Sequence, residues 1–310
     1  MVRVHPPPSE AGEGRGMRAV RRVDAREFVF AAQAPPFVCV NASARKRVCA
    51  GCLGVSPRRL ERVCQGCHLM YYCCAGCEAR DRRSHRQLCG LLPVAAKYRL
   101  RKTGKTQAGK GMVAADHQLF QTVLWFVFCM RFRGLRLDSM RYLQCDPTIW
   151  SEGEAQLMGI VADFVVEFLR EHMPGDPITA AVQADELRCI ISRLQLNSFD
   201  LCHSGKLGQG MGTLTYSEMS FFNHSCAPNT VLEVVDCCQY LFARRAIEVD
   251  EEVCTHYIAL DQPLVTRRKQ LLDSFGFGCC CSRCTGEEKA TPKGRKAQQR
   301  MSKQTKSGCG

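Results

Sequence analysis

The chain reads as an α+β protein, mainly β with a helical insert and zinc-stapled parts, and three observations predict it. Short β-type runs lie toward both ends, helical periodicities occupy the middle, and a cysteine-rich basic block interrupts the first third. Residues 1–16, rich in Pro and Gly, read as an irregular lead. Phe28-Val29-Phe30 and Phe37-Val38-Cys39-Val40 are the first strand-like runs, and the basic block 49–89 follows them. A lysine- and glycine-bearing stretch from Lys97 to Lys110 reads as a connector.

From Glu152 to Met173, Leu157, Ile160, Val161, Phe164, Val165, Phe168 and Leu169 recur every three or four residues, which predicts a helix with one face on a core. A second helix is predicted over 184–196, with Leu187, Ile190, Ile191 and Leu194 on one face and a stop near Asn197. Val231–Val235 and Tyr240–Ala243 flank a four-residue hairpin connection, and Val253–Ile258 reads as another strand. Residues 285–310 hold seven Lys+Arg and almost no apolar side chain, so they read as a solvated basic tail.

At 310 residues the chain suggests two compact domains or one elaborated domain. Apolar residues at 45% and charged residues at 24% exclude collagenous, fibrous and wholly disordered classes. The longest apolar run, Val123–Met130, is too short to cross a bilayer, and the first sixteen residues hold no apolar signal core, so neither membrane insertion nor secretion is expected. The net charge of +13 is concentrated: residues 45–110 carry 16 Lys+Arg against Glu61, Glu78 and Asp81. Twenty-two cysteines without a secretory signal point to thiolate–metal chemistry in a reducing compartment rather than to disulfides.

The metal reading rests on spacing. Cys49-x2-Cys52, Cys64-x2-Cys67, Cys73-x3-Cys77 and His85-x3-Cys89 supply seven thiols and one imidazole, enough for two tetrahedral zinc sites. A two-residue gap lets both sulfurs reach one ion, and a three-residue gap suits a helical turn. Metal binding would also supply the folding energy that so small a core lacks. The alternative is a set of free reduced thiols. Downstream, Cys279, Cys281 and Cys284 leave one tetrahedral position vacant, for which Cys226 is the candidate; scattered cysteines such as Cys129 and Cys189 read as core residues.

The block 49–89 resembles the MYND zinc finger. That resemblance implies interleaved sites, with Cys49, Cys52, Cys73 and Cys77 on one zinc and Cys64, Cys67, His85 and Cys89 on the other. Tyr72 fits the pattern. Cys74 stands where serine is common and is not expected to be a ligand, a slipped Cys74-x2-Cys77 pairing being the alternative, and Arg82 replaces a usual tryptophan of the peptide groove.

Farther along, Asn223-His224-Ser225-Cys226, Tyr257 and the cysteines at 279–284, with Gly14-Arg15-Gly16 near the start, resemble a SET domain with its post-SET zinc. A MYND finger inserted into SET is the mark of the SMYD protein-lysine methyltransferases. The resemblance runs from about Gly12 to Cys284 and implies a SET fold with a pseudo-knot, a threading rare in proteins generally. It implies this partition: 1–48, N-terminal part of SET; 49–89, MYND finger; 90–196, basic linker and helical insert; 197–273, core SET; 274–284, post-SET zinc motif; 285–310, tail.

It also implies S-adenosylmethionine held by Gly14, Arg15, Gly16, Asn197, Ser220, Asn223, His224, Tyr257 and Phe277, with Tyr257 catalytic, Phe199 and Phe275 on the lysine channel, and three zinc ions. Each has a plain structural alternative: Asn197 ends a helix, Ser220 is a turn hydroxyl, Phe277 is core, and Tyr257 is a buried strand tyrosine. Phe275 stands where many relatives carry a channel tyrosine. The function implied is transfer of methyl groups to lysine in a protein substrate, a histone tail or a cytosolic protein, in nucleus and cytoplasm. The alternative is a MYND-type interaction scaffold or transcriptional co-regulator with an inactive SET fold. Proline-rich peptides are the expected partners of the finger, and the basic stretch 45–110 suggests a weak nucleic-acid contact without sequence reading.

Overall fold

The computed structural model describes residues 4–5, 16–33, 35–98, 114–140, 143–201, 210–235 and 237–290. The chain divides into two compact units. One comprises Met1–Phe30, Phe221–Glu233 and Tyr240–Gly310; the other comprises Ala31–Ser220 and Val234–Gln239. Among the described residues no helix is long and apolar enough to cross a membrane.

The second unit is mainly helical. The helix Glu152–His172 begins at a capping box, in which Ser151 and Glu154 satisfy each other's backbone N–H, and it buries Val161, Phe164, Val165 and Phe168 on the face that the periodicity predicts. It packs against the helices Ala114–Phe132 and Ala184–Leu196 around one apolar core. Sequence reading gave Ala114–Phe132 no helical assignment, because its apolar residues run around the whole circumference. Phe120, Val123, Leu124, Phe126, Val127 and Phe128 are all buried, so no single apolar stripe exists. Phe37–Val40, Gly212–Thr215 and Ser198–Asp200 form a three-stranded antiparallel sheet in that order. Gly212 must be glycine, since a Cβ there would strike the Cys39 carbonyl oxygen. The zinc block folds as a two-strand ribbon, Arg62–Val63 with Tyr71–Tyr72, followed by the helices Ala75–Leu88 and Leu91–Lys97. Of the expected connector Lys97–Lys110, the first residue ends a helix and 99–113 lie outside the described residues.

In the first unit, Met17–Ala19 is the centre of a small antiparallel sheet, with Glu252–Val253 on one side and Val4–His5, a strand inside the expected irregular lead, on the other. Phe28–Ala32, Cys238–Ala243 and Thr230–Val235 form a second sheet, and the connection between the last two is residues 236–237 rather than the expected four. The expected strand Val253–Ile258 stops at Val253. Beyond it the chain pairs with Asn223–Ser225 through a single parallel bridge, Thr255 N–H donating to Asn223 O and Ser225 N–H to Thr255 O.

The helix Leu264–Phe275 ends at Gly276, whose φ of 75° is left-handed. The helix Ser282–Ala290 corrects the reading of 285–310 as solvated tail. Its first residues are ordered by Arg283–Glu287 along the helix and by Arg267–Glu287 and Arg268–Glu288 pairs to the preceding helix. Residues 291–310 lie outside the described residues. Cys129 is buried as expected, but Cys189 is exposed, on the solvent side of the helix Ala184–Leu196.

Candidate functional site

Three four-residue donor sets stand out: Cys49, Cys52, Cys73 and Cys77; Cys64, Cys67, His85 and Cys89; and Cys226, Cys279, Cys281 and Cys284, with the donor atoms of each within 4.8 Å of one another. Donors around one zinc at about 2.3 Å stand about 3.8 Å apart. The separations are near that: 3.8 Å for Cys52–Cys73, 3.6 Å for Cys64–Cys89, and 3.6 and 3.0 Å from His85 Nε2 to Cys67 Sγ and Cys64 Sγ. The interleaving is as the resemblance implies, and Cys74 is exposed and outside the set.

Local structure explains the placement. The helix Ala75–Leu88 turns Cys77, Asp81, His85 and Leu88 onto one buried face. Asp81 accepts the Tyr72 hydroxyl at 2.8 Å and Arg133 Nη2 at 2.6 Å, which anchors that helix beside the ribbon. Burial alone would raise the Cys64 thiol, but N–H donors of Cys67 and Gly66 with the His85 ring bring it down to about 6. At Cys281 burial is likewise outweighed, by the Cys284 N–H and neighbouring thiols, and the thiol again falls to about 6.

The third set has a guanidinium in its wall. Arg267 is 1% exposed. Its Nε donates to Cys226 Sγ at 3.3 Å, and its Nη2 donates to Cys284 Sγ at 3.7 Å and to Glu287 at 2.9 Å. Sequence reading missed it, since a helix reading Arg267-Arg268-Lys269 looks like a solvated charge run and carries no motif.

The first unit also gathers most of the residues around Tyr257. The Tyr257 hydroxyl donates to Phe222 O at 2.8 Å, and its backbone N–H donates to His224 Nδ1 at 3.0 Å. The rings of His224, Phe275 and Phe277 stand 5.4, 5.0 and 6.4 Å from it, centroid to centroid. Since Nδ1 accepts, the neutral His224 ring carries its proton on Nε2, which faces Cys226 Sγ at 3.3 Å. Burial, with repulsion from His256 and Arg267, pushes the His224 pKa down to about 4. Burial, then the neighbouring Cys254 and Glu252, hold the Tyr257 hydroxyl well above its usual range, so it stays protonated.

Asn223 Nδ2 donates to Glu252 at 2.8 Å, and both side chains close over Gly16, where a Cβ would collide with them. That close approach is why residue 16 is glycine. Glu252 was a further omission; it shows no signal beyond lying five residues before Tyr257. Gly14 and Arg15 lie outside the described residues.

Asn197, Phe199 and Ser220 belong to the second unit. Asn197 caps the helix Ala184–Leu196, donating to Gln144 O at 2.9 Å and Arg193 O at 2.8 Å. Ser220 Oγ donates to Tyr216 O at 2.9 Å, and Phe199 packs edge-on to Tyr216.

A family model described as the SET domain matches residues 14–258. Histone-lysine N-methyltransferase SMYD3 of Mus musculus is 27% identical over 279 residues, covering 90% of this chain and 61% of its own. N-lysine methyltransferase SMYD2 of Gallus gallus is 25% identical over 281 residues, covering 90% and 59%. The chain thus spans about three fifths of these relatives. The crystal structure of the SET domain of LSMT bound to lysine and AdoHcy aligns with a TM-score of 0.44 at 15% identity, over 90% of this chain and 52% of that one. The chain belongs to the SET domain family and, within it, resembles the SMYD proteins.

Proposed function

We propose that the chain is an S-adenosylmethionine-dependent protein-lysine N-methyltransferase. The observation that carries this is Tyr257, a protonated hydroxyl whose hydrogen is committed to Phe222 O and whose ring stands among His224, Phe275 and Phe277. S-adenosylmethionine, when bound, supplies an electrophilic methyl group on a sulfonium.

The protein's own part is alignment and deprotonation. A free lysine has a pKa of about 10.4, so roughly one in a few thousand is uncharged at neutral pH. An aromatic wall such as Phe275 desolvates an ammonium and lowers that pKa. With its hydrogen engaged, the Tyr257 oxygen turns its lone pairs outward, where they accept from an amine N–H and fix the nitrogen for in-line attack. Gly16, Asn223 and the neutral His224 are the residues of this unit that would hold the cofactor, with Glu252 bonded to Asn223 beside Gly16. Gly14, Arg15, Asn197, Ser220 and Phe277 complete the set that the family resemblance suggests.

The substrate in this reading is a protein lysine on a histone tail or a cytosolic protein, met in nucleus or cytoplasm; the similarity to a histone-lysine and an N-lysine methyltransferase supports the substrate class. Zinc-stapled binding of proline-rich peptides by 49–89, and a weak contact of the basic stretch with nucleic acid, belong to the same proposal. The exposed Arg58, Arg59, Arg82, Arg83 and Arg86 support the latter. Incubation with methyl-labelled S-adenosylmethionine and pools of histones and cytosolic proteins tests the activity. Label in protein lysine that disappears in Tyr257→Phe is expected; no label in any pool would leave the interaction scaffold as the better reading.

A further inference from the structure

In the second unit a cavity of about 530 Å³ opens among the zinc block, the strand Phe37–Val40 and the helix Ala114–Phe132. Its size is that of a small-molecule site. Val38, Val48, Leu69, Leu124, Phe128 and Leu135 give it apolar walls. A shallower recess shares Arg45, Leu69 and Gln121 with it and adds Lys46, His68 and His117. Among the described residues neither lining contains an Asp or a Glu.

The cations at the cavity are not equivalent. Arg133 is paired with Asp81 at 2.6 Å and lies over the Trp125 ring, and Arg136 stands 3.5 Å from the exposed Asp138. Arg45 is half-buried; its side chain donates to Gln121 Oε1 at 3.4 Å, the sulfurs of Cys39 and Cys67 are close enough to favour its charge, and among the described residues no carboxylate is paired with it. The Cys39 and Cys67 sulfurs offer a guanidinium no bidentate oxygen pair, and its flat fork is shaped for an oxyanion. The walls ask for an apolar body and Arg45 for one negative head. A polyanion would find too few free cations here, and a neutral lipid would leave Arg45 as it is.

We propose that this cavity binds a single-chain amphiphilic anion, its hydrocarbon chain against the partly exposed Val38, Leu69 and Leu135 and its head group on Arg45. The head is an oxyanion, a carboxylate or a phosphate monoester. The site is built by the zinc block and the helical insert and does not rest on the methyl-transfer reading.

Calorimetric titration of the full zinc-loaded chain with decanoate, decyl phosphate, decanol and decyltrimethylammonium tests it. Decanoate or decyl phosphate should bind at least tenfold more tightly than decanol, and whichever is tighter identifies the head group. The cation should bind no better than decanol. Arg45→Gln should erase the preference for the anion while leaving the decanol affinity unchanged. Leu124→Trp should fill the cavity and weaken every chain-bearing probe. Should that variant fold poorly, quenching by a doxyl-labelled decanoate in Trp150→Phe gives the location directly, because Trp125, held by its Nε1 donating to Val38 O at 2.7 Å, is then the single reporter in the wall. Equal affinities for decanoate, decyl phosphate and decanol, an anion preference that survives Arg45→Gln, or unquenched Trp125 would each overturn the proposal.

Discussion

Replacing Arg267 by Gln should unfasten one of three zinc sites and leave the other two alone. The native guanidinium is almost wholly buried and divides its donors among two sulfurs of the third set, Glu287 and the carbonyl of Gln262. Four thiolates on a divalent ion carry a formal charge of −2, and Arg267 is the cation inserted against them. Hydrogen bonds involving a charged partner contribute about 1.5–3 kcal/mol each, and breaking a buried charge pair costs about 3–5 kcal/mol. Glu287 is partly exposed, so water takes over some of its share, and a loss of about 2–3 kcal/mol follows. That is roughly a 30- to 150-fold weaker hold on zinc.

The assay is a competition in which a chromogenic chelator withdraws zinc from purified protein while release is followed in time. In the native chain the three ions should leave slowly. In Arg267→Gln one equivalent should leave early, and alkylation mapping should find Cys226, Cys279, Cys281 and Cys284 newly reactive. Arg267→Lys keeps the charge but loses the fork and should fall between. Unchanged release, or early loss of two or three equivalents, would refute the assignment of Arg267 to this one site.

Metal analysis after gel filtration should find three zinc ions per chain, matching the three donor sets; a reproducible count of two would mean that one set is not a site. Tyr257→Phe should lower methyl transfer by at least a hundredfold with little change in the calorimetric affinity for S-adenosylmethionine, because the ring and the N–H bond to His224 remain; undiminished turnover would contradict the role given to the hydroxyl. Phe275→Tyr places a second hydroxyl beside Tyr257, whose ring is 5.0 Å away, and should shift the product toward monomethyl-lysine, read by mass spectrometry; an unchanged product distribution would mean that Phe275 only packs. Truncation after Thr285 removes Glu287 and Glu288, the partners of Arg267 and Arg268, and should speed zinc release from the third set several-fold relative to truncation after Ala290; equal rates would mean that the last helix contributes nothing to that site.

What the sequence revealed and what it concealed follow from the range of the forces involved. Zinc ligands are legible because coordination fixes both residue type and spacing, so even the distant Cys226 could be matched to Cys279, Cys281 and Cys284 by counting vacant positions. The helices Glu152–His172 and Ala184–Leu196 are legible because each buries one face against a partner. Ala114–Phe132 is not, because a helix buried on every side has no stripe to read. The charges on Ser282–Ala290 look like those of a solvated tail, and only their arginine partners one helix earlier reveal the docking. Around Tyr257 the named residues were legible by motif, whereas Glu252 and Arg267 act through contacts across the fold that leave no local pattern.

The four consecutive residues Asn223–Cys226 serve two masters. Their first side chain reaches Glu252 over Gly16, the second holds the Tyr257 backbone, and the last supplies a sulfur of the third set facing that same imidazole. Two binding events that stiffen one short segment are thermodynamically linked: each must tighten the other by the same factor. Metal status then acts as a volume control on the neighbouring chemistry, since stripping one ion would slacken the tyrosine's support without touching it. In the reverse direction, occupancy of the tyrosine's site would shelter its neighbouring zinc from chelators and oxidants, and the protein would lose that metal most readily when idle.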